Sequence, residues 1–454
     1  FWLGLHNTRT YMEFYRLPFL VFRPSMKPFL IATLVSLGAA LIGTLSAVRR
    51  AVRLAPAESM RPPAPPTFTK TRLADKWPFR RLDQPTHVIL RQILRWPLRS
   101  LLTSTGIGMA VAVLITSLHW IDAINHMADV YFVQAQRQDI SVGLSEVRST
   151  EALNGFKHLP GVMATEGQRA VAVRFRHGSN EHRGSILGVP AHQRLQLVYD
   201  ADGRQVDMPP RGLVLSTMLA QILGVNPGET VTVEVLEGRR PVLEIPVVET
   251  FETYIGTPAY MNIRALNNVM REAPSVSAVH LRVDPTQQAK LFSALKKTPE
   301  TASLNIKQAA LDTFYDTLAE SLYIFITFFV SFAGVLAFGV TYNSARIALS
   351  ERGRELATLR VLGFSRAEIS YILLGETAVL TLVALPLGCA IGFGLANLIT
   401  KQFVTELYRV PMVIELSTFG WAIVTGVTAA AISAIVVRRR LDRLDLIGVL
   451  KTRE

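Results

Sequence analysis

The residues with most scope for chemistry lie in the run SERGRELATLRVLGFSRAEIS, Ser350 to Ser370. Arg352, Arg354, Arg360 and Arg366 stand there beside Glu351, Glu355 and Glu368. Two signs of charge at this spacing suit ion pairing with another surface rather than bond making. Good helix formers fill Glu351–Val361, with Leu356 and Leu359 on one side. Gly363 is placed to end that helix with a left-handed residue. Ser365 and Glu368 form an S-x-x-E capping box for a new helix. The pattern predicts a short surface helix, a tight turn and a second helix. It reads either as a solvated loop or as a docking helix seated in a partner's groove.

Covalent and metal chemistry find little support. The chain contains no G-x-x-x-x-G-K-[ST], no G-x-S-x-G and no H-E-x-x-H. His119, His126, His158, His177, His182, His192 and His280 show no metal-ligand spacing, and Cys389 is the one cysteine. No catalytic, metal-ligating or cofactor-binding residue is therefore expected. Glu376 is an acid inside an apolar run. It reads either as a near-interface carboxylate paired with an arginine or as a marker of a proton pathway.

The elements around these residues belong to a membrane. Mean hydropathy is +0.28 despite a net charge of +13, and the apolar residues are concentrated in runs. Five runs approach the roughly 20 residues that cross a bilayer: 28–48, 101–121, 322–342, 369–399 and 419–437. Residues 125–318 hold 19 Lys/Arg against 20 Asp/Glu, so the basic excess lies beside the spans. That distribution argues for the positive-inside pattern and against nucleic acid. It places the C-terminus in the cytoplasm and the long neutral segment outside. The last three spans then return the chain to the cytoplasm. The start at Phe1 and the absence of a signal peptide are read as marks of a fragment lacking an N-terminal portion.

Tyr15-Arg16-Leu17-Pro18 before the first span and Tyr408-Arg409-Val410-Pro411 before the last suggest a duplication, since a basic cluster follows each span. The chain divides on this reading into residues 1–60, the end of a first half with one span; 61–84, a basic Pro-rich cytoplasmic linker; 85–124, an inner-surface amphipathic helix and a span; 125–318, an outer domain; and 319–454, three spans with the charged segment. The outer domain reads as α+β, built from small β-α-β pieces and a β-rich insert. Helices at His119–Ala135 and Lys307–Glu320 would form a paired stalk. Gly388, Gly392 and Gly394 form a small-residue stripe suited to close helix packing, and Pro386 is expected to kink the same helix.

Four stretches carry a family resemblance. HVILRQILRWPLRSLLTSTGIGMAVAV resembles a basic helix before a first span. LSTMLAQILGVNPGETVTV resembles a periplasmic-domain pattern. ALSERGRELATLRVLGFSRAEISYILLGE looks like an E-R-x-x-E-[IL]-x-x-L-R-x-[IL]-G coupling segment, and the basic tail ends LDLIGVLKTRE. Together they resemble the FtsX/MacB-type permeases of ABC transporters, in the larger two-half form. The resemblance implies a helical membrane protein with an inserted periplasmic α+β domain, in a bacterial inner membrane. It also implies an ABC ATPase subunit on the cytoplasmic side that supplies ATP and Mg. Further expected partners are a second permease half or a periplasmic accessory protein, and membrane lipids. Glu351, Arg354, Glu355, Leu359, Arg360 and Gly363 match the coupling motif. Export or extraction of a lipid-, lipoprotein- or peptide-like substrate is the implied function. Regulation of a periplasmic enzyme without transport is the alternative, and proton-driven transport through Glu376 a third.

Overall fold

A computed structural model describes residues 4–5, 8, 12, 21, 23–52, 83–201, 203–406 and 408–442. Two compact units are present, one drawn from Phe1–Leu101, Glu351–Glu376 and Leu444–Glu454, the other from Leu102–Ser350 and Thr377–Arg443. Among the described residues five helices are long and apolar enough to cross a membrane: α1 (Met26–Val52), α3 (Pro97–Ala128), α8 (Lys307–Val361), α9 (Arg366–Gln402) and α10 (Leu416–Asp442). Helices satisfy every backbone polar group internally, which hydrocarbon demands. Before α3 stands the separate helix α2 (Gln84–Arg95), which ends at Trp96 because Pro97 begins the next helix. Tyr15–Pro18 and residues 61–82 of the expected 61–84 linker lie outside the described residues, and Gln84 already belongs to α2.

Small residues set the packing of the second unit. A Cβ on Gly388 would lie 2.7 Å from the Gly108 carbonyl oxygen and 2.8 Å from the Val111 Cβ. One on Gly392 would meet Ile115 and Ala112 at 3.0 and 3.1 Å, and one on Gly426 would meet Val111 at 3.2 Å. Helices α3, α9 and α10 therefore approach along a seam of glycine and alanine, with Val111, Leu114, Ile115, Leu385 and Ala422 buried around it. Gly394 departs from the expected stripe, since open space faces it. It is two residues from Gly392, about 200° round a helix of 3.6 residues per turn. Helix α9 continues through Pro386 without interruption.

Between α3 and α8 lies the α+β domain. Strands β1 (Ile140–Ser149), β2 (Val162–His177), β8 (Ser275–Val283) and β9 (Thr301–Ile306), with helices α4 (Ala152–Lys157) and α7 (Gln288–Lys297), form a β-α-β-β-α-β unit whose spatial order is β9-β1-β8-β2. An insert between β2 and β8 adds β3 (Asn180–Val189), β4 (Leu213–Ser216), α5 (Thr217–Leu223), β5 (Thr230–Val235), β6 (Val242–Phe251), β7 (Ala259–Asn262) and α6 (Ile263–Met270). The far half of β2 pairs with both β3 and β5, which closes a six-stranded ring β2-β3-β7-β4-β6-β5. Phe175, Leu215, Leu219, Val231, Val233 and Met261 fill it. Strand β2 thus belongs to both subdomains, and the change of partner falls at Gln168 and Arg169.

Arg169 is 2% exposed at that point. Its Nε and Nη2 donate to the two carboxylate oxygens of Glu272 at 3.2 Å each, and Nη2 also donates to Glu237 at 2.6 Å. Nη1 donates to the Ala170 carbonyl at 2.8 Å. Removing one partner from such a buried set leaves an uncompensated charge, which makes the set a pin between the subdomains.

Two expectations change. Helix α8 runs unbroken through the charged segment to Val361, so no separate short helix lies between the third and fourth spans. Between Tyr342 and Val361 only Gly353 weakens the helix, and nothing there removes a backbone donor. Of the two helices expected to form a stalk, the first changes character: α3 passes into a π-helix at Asp129–Gln134, whose Phe132 meets Phe314 of α8 at a ring distance of 5.5 Å.

Exchanging Gly388 for Val is expected to lower the unfolding midpoint of the detergent-solubilised chain, with a cost of about 1–3 kcal/mol for forced overpacking. Gly394→Ala is expected to leave it unchanged or raise it. Equal effects from the two would remove the assignment of the seam. Burial also lowers the pKa of His280 from 6.5 to about 4. The unfolded chain then takes up a proton before the folded chain does. Stability is expected to fall as pH drops from about 6.5 to about 4, by at most about 3 kcal/mol, and not to fall further from this group. Denaturant titrations across that window should lose this slope in the Ser141→Ala, His280→Leu double variant.

Candidate functional site

The charged segment forms the end of α8, the turn and the start of α9. Thr358 and Leu359 supply the closing carbonyls. The Leu362 amide donates to Thr358 at 3.0 Å and the Phe364 amide to Leu359 at 3.1 Å. Gly363 sits between them at φ +100°, the conformation a side chain resists. The capping box then closes: the Ser365 amide and hydroxyl donate to a Glu368 oxygen at 2.7 and 2.9 Å, and the Glu368 amide donates to Ser365 Oγ at 3.2 Å. With two orphan amides satisfied at once, α9 starts at Arg366.

Helix α2 lies against the start of α9. Ile89 is 3% exposed, and its Cδ1 occupies the space a Gly375 side chain would need, 2.5 Å from the position of that Cβ. Thr86 Oγ1 lies 3.1 Å from the Tyr371 hydroxyl. The amphipathic helix read from the sequence therefore buries Ile89 against α9, while Val88 and Trp96 stay exposed. Glu376, next to Gly375, is half-buried and has a partner within the protein.

Of the residues expected in the coupling motif, Leu359 is half-buried and Gly363 makes the turn. The side chains of Glu351, Arg354, Glu355 and Arg360 lie outside the described residues, although the α8 backbone carries all four. Gly388 and Gly392 are in the helix seam and Gly394 is not.

Residues 327–446 match the family described as FtsX-like permease C-terminal. That stretch is similar to such a domain. It takes in most of the third span and all of the turn, α9 and α10. Among curated proteins, none matches the chain. Among solved structures, the extracellular domain of the noncanonic ABC-type transporter YknZ from Gram-positive bacteria is similar at 14% identity and a TM-score of 0.25, over 37% of this chain and 98% of that one. The periplasmic region of MacB from Actinobacillus actinomycetemcomitans is similar at 12% identity and a TM-score of 0.25, over 40% and 94%. With five helices long and apolar enough to span a bilayer among its described residues, the chain reads as a multi-pass membrane protein with an inserted α+β domain.

The α+β domain also holds a constellation that sequence spacing did not reveal. Strand register sets Ser141, His280 and Glu166 side by side on β1, β8 and β2. The residue types are those of a hydrolase triad, but the bonding is different. Ser141 Oγ meets His280 Nδ1 at 2.8 Å. Glu166 spends both oxygens on the amides of Arg194, Leu195 and Gln196, at 2.7 to 3.1 Å. The carboxylate fastens the 194–196 loop to the sheet and does not orient the imidazole. Among the described residues no group of three His, Cys, Asp or Glu side chains is arranged to hold a metal.

Gly375→Val is expected to push Ile89 aside and speed amide exchange across α2 severalfold. Adding Ile89→Ala should restore part of the protection. No change in α2 with Gly375→Val would show that the helix is held by other contacts.

Proposed function

We propose that this chain is the permease subunit of an ABC transporter, embedded in a bacterial inner membrane with its C-terminus in the cytoplasm and residues 125–318 in the periplasm. A separate ATPase subunit binds the end of α8 on the cytoplasmic side and holds ATP and Mg. The reading is supported chiefly by the FtsX-like match over 327–446, whose third span is continuous with both the outer domain and the charged segment. Lys307, the first residue of α8, directly follows β9, and the same helix ends at the Gly363 turn. An ATPase that shifts this turn would act on a helix that begins in the periplasmic sheet.

Within that reading, Glu351, Arg354, Glu355 and Arg360 make ion pairs with the ATPase. Leu359 and Gly363 set the turn it grips. The motion serves export or extraction of a lipid-, lipoprotein- or peptide-like substrate from the outer leaflet or periplasm. Positive loops on one side and a neutral domain on the other support the sidedness.

Full-length protein purified from its native membrane is expected to bring down a nucleotide-binding subunit with ATPase activity. Glu351→Lys with Glu355→Lys should abolish that association while leaving the unfolding midpoint unchanged. An ATPase that stays bound to the double variant would remove these residues from the coupling role.

A further inference from the structure

The segment joining α9 to α10, residues 403–415, holds Tyr408-Arg409-Val410-Pro411, and three sets of contacts fix it. At its tip, the Thr405 amide donates to the Tyr408 carbonyl at 3.0 Å, and the Tyr408 amide donates back to Thr405 Oγ1 at 3.1 Å. Tyr408 pairs in an antiparallel bridge with Ile255, which follows β6 of the six-stranded ring. The Arg409 amide donates to the Tyr254 carbonyl at 2.9 Å, and Arg409 Nη1 pairs with Glu252 at 3.1 Å. The receiving loop is itself fastened to the ring subdomain: the Glu252 amide donates to Asp200 at 2.7 Å and the Tyr254 hydroxyl to the Ala201 carbonyl at 3.0 Å.

At its base the segment is held by α3. Asp122, 7% exposed, accepts from the Glu415 amide at 3.0 Å and from Thr418 Oγ1 at 2.6 Å, so it caps α10 from another helix. His119, 1% exposed, lies 2.8 Å from the Val413 carbonyl through Nδ1 and 3.0 Å from Thr400 Oγ1 through Nε2. One turn further out, the His126 ring meets the Tyr254 ring edge-on at 5.6 Å. Residues 119, 122 and 126 are spaced three and four apart and share one side of α3. Buried polar groups at the end of a span persist when they are paired, and here the pairings fall on the 403–418 segment, α9 and the 254 loop.

We infer that residues 403–415 are a fixed joint that fastens the outer ends of α9 and α10 to the ring subdomain, so that this subdomain moves with those two spans. The stalk helices enter the other subdomain, α3 through β1 and α8 through β9. The periplasmic domain then has two attachments to the membrane, one for each of the subdomains that share β2. The inference deepens the permease reading and rests on it for its purpose, but the joint itself can be tested without an ATPase.

The full-length chain in lipid nanodiscs, with Cys389→Ser, serves as background. Ile255→Cys with Tyr408→Cys is expected to cross-link almost completely under mild oxidation, since directly bridged residues meet disulfide geometry. Spin labels at Leu416→Cys and Val242→Cys should give one narrow distance population. Arg409→Pro, which removes the amide donor and the ion pair together, should broaden or split it. Arg409→Glu should speed amide exchange at 252–255 about two- to fivefold, and Glu252→Arg added to it should return the rate to within about twofold. A pair that does not cross-link, or a distance population unchanged by Arg409→Pro with exchange unchanged by Arg409→Glu, would overturn the joint. Failure to recover an ATPase would count against the permease reading and leave these measurements decisive for the joint.

Discussion

The close approach of α3 to α9 is the contact on which the rest of the membrane unit depends. Gly108 and Gly388 have no side chains, and each backbone fills the space the other's Cβ would need. In hydrocarbon no hydrophobic gain drives two apolar helices together, so dispersion between closely fitted surfaces has to do it. Once α3 is set at this distance, its outer end brings His119 and Asp122 within hydrogen-bond reach of Thr400, Val413 and Glu415. The polar groups could not be buried at a wider separation, because they would lose these partners. Small residues midway along α3 thus permit the polar cluster at its domain end.

The outer domain depends on a similar economy of elements. Strand β2 is 16 residues long and serves two sheets in turn, pairing with β8 through Gln168 and with β3 from Arg169. Arg169 marks the change of partner and draws Glu237 and Glu272 toward it. Glu272 follows the last helix of the insert, and Glu237 follows β5. A single buried guanidinium therefore holds the place where the insert leaves and rejoins the four-stranded unit. Its planar fork matches a carboxylate pair as lysine could not.

At the other end, the turn at Gly363 is set by local chemistry alone. Its carbonyl closure and the Ser365–Glu368 box need no tertiary partner. The end of α8 and the start of α9 are consequently well-defined whatever lies beyond them.

What the sequence determined by itself is whatever follows from one stretch of chain. Five apolar runs become helices because backbone groups in lipid have no other partners. The Gly363 turn, the Ser365 box and the Ser216–Gly224 helix follow from neighbours within a few residues. Val231–Val235 alternates and is a strand, as alternation predicts. Tertiary structure decided the remainder. Strands β4 and β7 are four residues long and fully buried, with no alternation to read. The ring closes through parallel pairings of β3 with β7 and β4 with β6, between residues distant in the chain. Gly394 and Gly392 look alike in sequence, and only the position of α3 makes Gly392 a contact and leaves open space beside Gly394. His119 and Asp122 carry no spacing signal, because their partners come from α9 and the loop before α10, nearly 300 residues on. Long-range pairing depends on which surfaces the whole chain brings together, and no local pattern encodes that.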